Sequence, residues 1–387
     1  MEAAGSVWIS RLACSHFRSY AQLDVSLPQG PVAFVGSNGA GKTNLLEAIS
    51  LFAPGRGLRG AAAADVASRN AEGALLNPSG TWAVSASVET PLGTRQLGVG
   101  LDAQGGKRVL RLDGKNKNGA TAFAEILPLL WLTPDDDALW RGPAQDRRRF
   151  LDQLVAAYDP GHVSNALAYT QVMRQRLKIL KDATKANTTP DGAWLDSLEE
   201  SMARHGVAMA AARRGLMRRL SDRIEQGVGP FPGARLGFKP GIETALAQDS
   251  ALDVEDQFRR KLAEVRVRDG IVGQSTSGPH RSDLEVHHAV HGREASQCST
   301  GEQKALLLAV ILGHAQLLTA ARRLKPIMLL DEVAAHLDLP RRAALLEALI
   351  PLGGQIWMTG TESVTFCEIS GEIALFSVHN GRVNQET

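Results

Sequence analysis

Apolar and polar residues alternate along the first part of the chain, broken by frequent turns. Val7, Ile9 and Leu12 mark one strand. Leu23, Val25 and Leu27 repeat at period two and mark another, closed by Pro28 and Gly30. The run PVAFVG reads as a short buried strand, and GKTNLLEAISLF after it as a helix. From about Thr81 to Leu112 short strands return, separated by glycine turns.

The period changes near LLWLTPDDDALW, where Thr133 or Asp135 is placed to cap a helix with Pro134 in its first turn. From Arg141 to Glu225 the spacing is mostly helical. Tyr169, Val172, Met173, Leu177 and Leu180 form one stripe; Trp194, Leu195, Leu198 and Met202, continued by Leu216, Met217, Leu220 and Ile224, form another. KANTTPDG breaks the pattern between them, which predicts two antiparallel helices. The first, read as Asn165 to Lys181, would be about 25 Å long, a short arm. The stretch GVGPFPGARLGFKPG closes the helical region. A short helical segment, a hairpin around His291-Gly292, a helix opening at STGEQ, the strand PIMLLD, another helix and GGQIWMTG follow, and this alternation predicts an α/β unit. The resulting division is 1–133, an arm over 134–255, and 256–387.

Composition adds a local feature. Net charge is only +2, yet Arg141 to Glu225 holds fifteen Lys and Arg against ten Asp and Glu. A basic surface is therefore expected on the helical region and not on the chain as a whole. Three widely spaced cysteines, Cys14, Cys298 and Cys367, fit a reducing compartment better than a disulfide framework. The first twenty residues lack a signal-peptide pattern, and no window approaches 18 uninterrupted apolar residues, so a cytoplasmic location without membrane insertion is expected.

Three stretches carry candidate chemistry. Gly36, Ser37, Asn38, Gly39, Ala40, Gly41, Lys42 and Thr43 fit G-x-x-x-x-G-K-[ST] between an apolar strand and a helix. The glycines let backbone N–H groups wrap a triphosphate, Lys42 reaches its β and γ phosphates, and the Thr43 hydroxyl binds Mg²⁺. In PIMLLDEV an apolar strand ends in two carboxylates: Asp331 suits Mg²⁺, and Glu332 suits polarising an attacking water. Ser299, Thr300, Gly301, Glu302 and Gln303 open a helix. Ser299 and Glu302 form a capping box, which by itself explains the stretch without a ligand. A helix start with a nearby glycine can equally meet a γ-phosphate.

Taken in order, the phosphate loop, S-x-G-[GEQ]-Q, the strand ending in Asp-Glu and AAHLD resemble the ABC-type ATPase heads of the SMC class. HFRSY, GSNGAGKTN, WLTPDDDALWRGPAQDRRRFLD, SGPHRSDLEV, STGEQKALLLA, LLDEVAAHLD and WMTGT resemble the RecF family more closely, from residue 16 to residue 361. The resemblance implies a P-loop ATPase head split in sequence around a helical arm. Lys42 and Asp331, 289 residues apart, leave room for that insertion. It implies ATP and Mg²⁺ as ligands, head-to-head dimerisation on ATP, Ser299–Gln303 completing the partner's site, and Asp338 at the dimer seam. It implies DNA binding in replication and recombinational repair, weak DNA-stimulated hydrolysis through Glu332, nucleoid association, and RecO and RecR as partners in RecA loading. Transporter heads carry a histidine where this chain reads IWMTGTES, with Thr359 and Thr361; the γ-phosphate sensor is unassigned.

Arg147, Arg148, Arg149, Arg213, Arg214, Arg218 and Arg219 are the candidate DNA-phosphate contacts. Aromatics make up only 5% and are not interleaved with these arginines, which favours duplex backbone over stacked single strand. His280 and Arg281 of GPHRSD have no assigned step. His287 and His288, adjacent on a strand, face opposite ways, and no ligand-spaced carboxylate or cysteine accompanies them, so a metal site there is not expected. The rival readings are a transporter's nucleotide-binding subunit, opposed by the long insertion, and a non-catalytic DNA-binding scaffold, opposed by Lys42, Thr43, Asp331 and Glu332.

Overall fold

The computed structural model describes residues 4–70, 72–102, 106–119, 121–333, 339–352, 354–363, 366 and 373–386. Asp338 and Cys367 lie outside them. By internal packing the chain forms two units. One comprises residues 1–137, 227–231 and 307–387, and the other residues 138–226 and 232–306. The segment 256–306, grouped above with the C-terminal part of the head, packs with the helices of the second unit.

The first unit holds two six-stranded sheets. One is mainly parallel. Its order is Arg382–Gln385, Ala374–His379, Val32–Val35, Ile356–Gly360, Ile327–Leu330, Leu129–Leu132, and only the first pair is antiparallel. Val32–Val35 and Ile327–Leu330 are buried at every position, which is why both read as unbroken apolar runs. Strands from the two ends of the chain alternate here: Val32–Val35 sits between Ile356–Gly360 and Ala374–His379. The head is thus split in sequence and joined in one sheet.

The other sheet is an antiparallel meander: Tyr20–Ser26, Trp8–Phe17, Ala83–Thr90, Gly93–Leu101, Arg108–Leu112 and Lys115–Lys117. Its strands alternate in burial, with Val84, Ala86 and Val88 inside and Ala83 and Ser85 outside. Apolar faces of both sheets share one core that includes Phe34, Trp357, Val88 and Leu97. Buried Gln355 ties the two together. It accepts from the Ile9 N–H at 2.9 Å and donates to the carbonyls of Ile9 and Pro28, both at 3.0 Å.

The second unit is largely helical, with Ala144–Tyr158, Gly161–Ala186, Gly192–Ile224, Ala251–Glu264 and Arg266–Val272. The first hairpin helix is longer than its apolar stripe suggests, whereas the second matches its stripe from Trp194 to Ile224. At 26 and 33 residues they span about 39 and about 50 Å at 1.5 Å per residue. Asn187, in the left-handed region, ends the first, and the Asp191 side chain caps the second. Pro134 starts only a 3₁₀ turn, Pro134–Ala138, and the first long helix begins at Ala144. The Pro/Gly-rich stretch also hides a strand, Ala234–Phe238, paired antiparallel with Leu284–His288.

Helix Thr300–Arg322 is long and apolar enough to cross a membrane, but 67% of its most apolar window is buried inside the protein. It is a core helix, and the chain passes from the second unit to the first within it.

Candidate nucleotide site

The phosphate loop follows strand Val32–Val35 at its carboxyl end, and helix Lys42–Ser50 follows the loop. Its N-cap is Gly41, at φ 111°, with no capping side chain. The first helical N–H groups are therefore left for an anion. A side chain at Gly41 would meet Ser19 Oγ at 2.6 Å and the Tyr20 hydroxyl at 3.0 Å, and one at Gly36 would meet the Val378 carbonyl at 2.3 Å. Glycine is required at both positions by contact and by backbone angle. The Tyr20 hydroxyl donates to the Gly41 carbonyl at 3.0 Å, so the HFRSY turn holds the loop from behind.

Lys42 is buried, and its Nζ donates to the loop carbonyls of Gly36 at 2.7 Å and Ser37 at 3.0 Å. Burial pushes its pKa down, partly offset by the charges of Glu332 and Asp331. An ammonium short of counter-charge gains by meeting phosphate. In the second turn of the same helix, buried Glu47 binds Arg18 at 2.6 Å and Arg59 at 3.1 Å, which fixes the HFRSY turn against the helix.

Asp331 and Glu332 follow the fully buried strand Ile327–Leu330. Two hydroxyls donate to Asp331 Oδ1, that of Thr43 at 2.9 Å and that of Thr359 at 2.7 Å. Burial raises the pKa of Asp331 despite both bonds, so a cation beside it would be welcome. The donor set suits Mg²⁺: hard oxygens about 2.9 Å apart match one edge of an octahedron with bonds of 2.0–2.1 Å. Thr43 and Asp331 are the residues that would hold the ion, whose positive charge would offset phosphate charge.

Thr359 is the residue that the sequence left without a role. Its hydroxyl donates to Asp331 and accepts the Glu332 N–H at 2.8 Å. Glu332 lies at φ 47°, which costs a non-glycine residue about 1–2 kcal/mol. Thr359 holds the Asp331 carboxylate and the Glu332 backbone in place from the next strand. Thr361, the other threonine of WMTGT, is exposed.

In the second unit the helix start Ser299–Gln303 closes as a capping box. The Ser299 N–H donates to Glu302 Oε2 at 2.8 Å, and the Glu302 N–H to Ser299 Oγ at 3.3 Å. Two side chains missed by motif reading hold it. Trp140 Nε1 donates to the Gln303 carbonyl at 3.0 Å, and Arg141 Nε to Gln303 Oε1 at 3.0 Å. Gln303 in turn donates to the Cys298 carbonyl at 2.8 Å. The WLTP…LWRG stretch thus clamps the motif, while Ser299 and Thr300 remain exposed. Only their position in WLTPDDDALWRG, one of the stretches that carry the family resemblance, could have drawn notice to Trp140 and Arg141.

The candidate DNA contacts divide. Arg213 is 1% exposed and ion-paired with Asp152 at 2.8 Å and Glu243 at 3.1 Å, so it is a core residue and not a surface phosphate contact. Arg147 grips both oxygens of Asp283, at 2.6 and 2.9 Å, and the Gly142 carbonyl at 2.6 Å. Arg148 donates to the Ser282 carbonyl at 2.9 Å. Both are occupied in fixing the GPHRSD stretch. Arg149 and Arg218 are exposed, Arg214 is half-buried, and exposed Arg219 lies over the Tyr158 ring and donates to its hydroxyl.

The fold also brings a carboxylate to the histidines, contrary to the spacing argument: donor atoms of His288, His291 and Glu302 lie within 4.8 Å of one another. The two rings stack at 3.9 Å with planes 19° apart. An ion between them would sit about 2 Å out of each ring plane, whereas imidazole binds metals in its plane at about 2.0–2.1 Å. The cluster reads as a His291–Glu302 contact, at 3.5 Å, and not a chelate.

Strand order, phosphate loop and strand-end carboxylates define an ATPase head of the ABC/SMC type. The comparisons narrow it. The model of the RecF/RecN/SMC N-terminal domain matches residues 8–384. The chain is 46% identical to the DNA replication and repair protein RecF of Mesorhizobium japonicum over 97% of both chains. It is 43% identical to the protein of the same name from Brucella suis biovar 1, over 97% of this chain and 96% of that one. The chain belongs to the RecF family. Among solved structures it superposes on the recombination mediator protein RecF-ATPrS of the RecFOR pathway with a TM-score of 0.85 over 100% of both chains at 19% identity. It matches an Smc head domain from Pyrococcus furiosus with a TM-score of 0.54 at 16% identity, over 98% of this chain and 96% of that one.

Proposed function

We propose that this protein is an ATP-dependent DNA-binding protein of replication and recombinational repair, and that ATP joins two copies head to head on DNA. The observation that carries the ATPase reading is the Thr43–Asp331–Thr359–Glu332 constellation at the carboxyl ends of neighbouring strands. Lys42 and the loop N–H groups bind the phosphates, Thr43 and Asp331 hold Mg²⁺, and Glu332 polarises the attacking water. Ser299–Gln303 of one copy faces the γ-phosphate bound by the other, with Asp338 at the seam. Support comes from exposed Ser299 at a clamped helix start and from family membership.

In this reading nucleotide and dimer state are linked, because the triphosphate binds well only when both halves contribute. Hydrolysis is slow and DNA-stimulated, and it releases the dimer. The name of the curated relatives supports DNA repair, and the RecFOR pathway named for the structural relative supports RecO and RecR as partners in RecA loading at gaps. The protein then works in the cytoplasm on the nucleoid.

Light scattering of the full chain with ATP and Mg²⁺, with ADP, and without nucleotide tests the central step. Mass should double with ATP alone. A wild-type chain that stays monomeric in saturating ATP overturns the mechanism.

A further inference from the structure

The GPHRSD stretch is fastened at nearly every residue. Gly278 lies at φ 135°, and a side chain there would meet the Tyr169 hydroxyl at 2.2 Å. His280 Nε2 bonds the Ser275 carbonyl at 2.9 Å, and Nδ1 meets the Tyr169 hydroxyl at 2.7 Å. A carbonyl can only accept, so the proton sits on Nε2 and Tyr169 donates to Nδ1. His280 is therefore a neutral pin against helix Gly161–Ala186. Ser282 donates to Glu243, and Asp283 is held by Arg147 and Lys239.

Arg281 is the exception. It is exposed, and among the described residues no hydrogen bond or ion pair engages its guanidinium. It lines a cavity of about 330 Å³ together with Lys261, Gln257, Thr276 and Ser277. Arg148 lies close enough for the two positive charges to oppose each other. Asp283 and Asp152 offset part of that opposition at Arg148, and an anion at Arg281 would relieve the rest. The frame also reduces the ordering cost of binding, because the backbone beneath Arg281 is already fixed.

We propose that Arg281, on this rigid turn at the mouth of the cavity, binds a backbone phosphate of DNA. The inference rests on the DNA-binding reading and names a contact for it. Arg147, Arg148 and Arg213 are engaged within the protein. Arg281 presents an unengaged planar fork suited to two phosphate oxygens, with Ser277 beside it in the cavity lining; Lys261 is paired with Glu264 at 3.2 Å and the Thr276 hydroxyl donates to Asp269 at 2.7 Å.

The test is a fluorescence-anisotropy titration of duplex DNA with the full chain, ATP and Mg²⁺ at several salt concentrations. Wild type is compared with Arg281→Ala, Arg281→Lys and, as a charge control elsewhere, Arg235→Ala. Arg281→Ala should weaken binding about tenfold and lower the salt slope by about one. Arg281→Lys should restore the slope but not the full affinity, and Arg235→Ala should match wild type. Wild-type affinity and slope in Arg281→Ala overturn this inference alone, as does weaker binding at an unchanged slope. A wild-type chain that binds no duplex overturns the DNA-binding reading, and this contact with it.

Discussion

Single residues decide how the candidate site works, and Thr359 shows it best. One hydroxyl orients the Asp331 carboxylate and helps hold Glu332 in its strained backbone conformation. Thr359→Val keeps the volume and removes both bonds. Steady-state ATPase assays should show turnover reduced about 10- to 100-fold with a KM close to wild type; an equal loss in nucleotide affinity would mean that Thr359 acts on binding instead. Asp152 makes a different residue-scale point. Burial works to raise its pKa, but hydrogen bonds and charge from His162 and Arg213 outweigh this and bring it to about 2. A carboxylate depressed in the folded state stabilises fully above its ordinary value near 3.8. That contribution fades as pH falls through about 2. Far-UV circular dichroism from about pH 5 to about pH 1.5 should show acid unfolding in this window. Asp152→Asn should flatten the loss there while lowering stability at neutral pH.

At the scale of elements, the helical arm depends on buried charge. Arg176 is fully buried in the middle of helix Gly161–Ala186. It binds Glu199 at 2.8 Å, Asp269 at 2.6 Å and the Leu262 carbonyl at 2.7 Å. Its guanidinium joins four helices, three of which share a small apolar cluster around Tyr169, Met202 and Phe258. Arg176→Ala leaves buried Asp269 without a cation and Glu199 with Arg266 alone, and should destabilise the arm by about 3–5 kcal/mol. The exposed pair Arg11–Asp24 is the contrast, and Arg11→Ala should leave stability nearly unchanged. Urea unfolding followed by circular dichroism measures both; equal shifts would refute the difference. In sequence Arg176 looks like one more arm arginine, because residue type carries no information about burial. The stripe through Tyr169 and Leu180 predicted a helix, but not that Arg176, on that same buried face, would carry an ionic core.

For the whole molecule the question is what ATP couples. If two heads share the nucleotide, mass and DNA affinity must respond to ATP together. Lys42→Met should abolish both responses. Glu332→Gln should keep the dimer and stop turnover, leaving a long-lived complex on DNA. Light scattering and duplex titration on the same samples check this, and a Lys42→Met chain that still dimerises with ATP would break the coupling.

How much of this was legible beforehand follows from the range of each interaction. The phosphate loop, the strand-end carboxylates and the capping box are local: neighbouring residues set their spacing, and the chain alone showed them. The split head followed from motif order and separation. Fully buried strands were readable because both faces are apolar, and the meander because its burial alternates. Strand Ala234–Phe238 was not, because its stability comes from pairing with Leu284–His288 across 46 or more residues rather than from a pattern of its own. Only tertiary structure set Thr359 against Asp331, clamped Gln303 with Trp140 and Arg141, buried Arg213 and left Arg281 unengaged. A charge or a hydroxyl in sequence has a type but no environment, and its environment determines whether it pairs within the fold or meets a ligand.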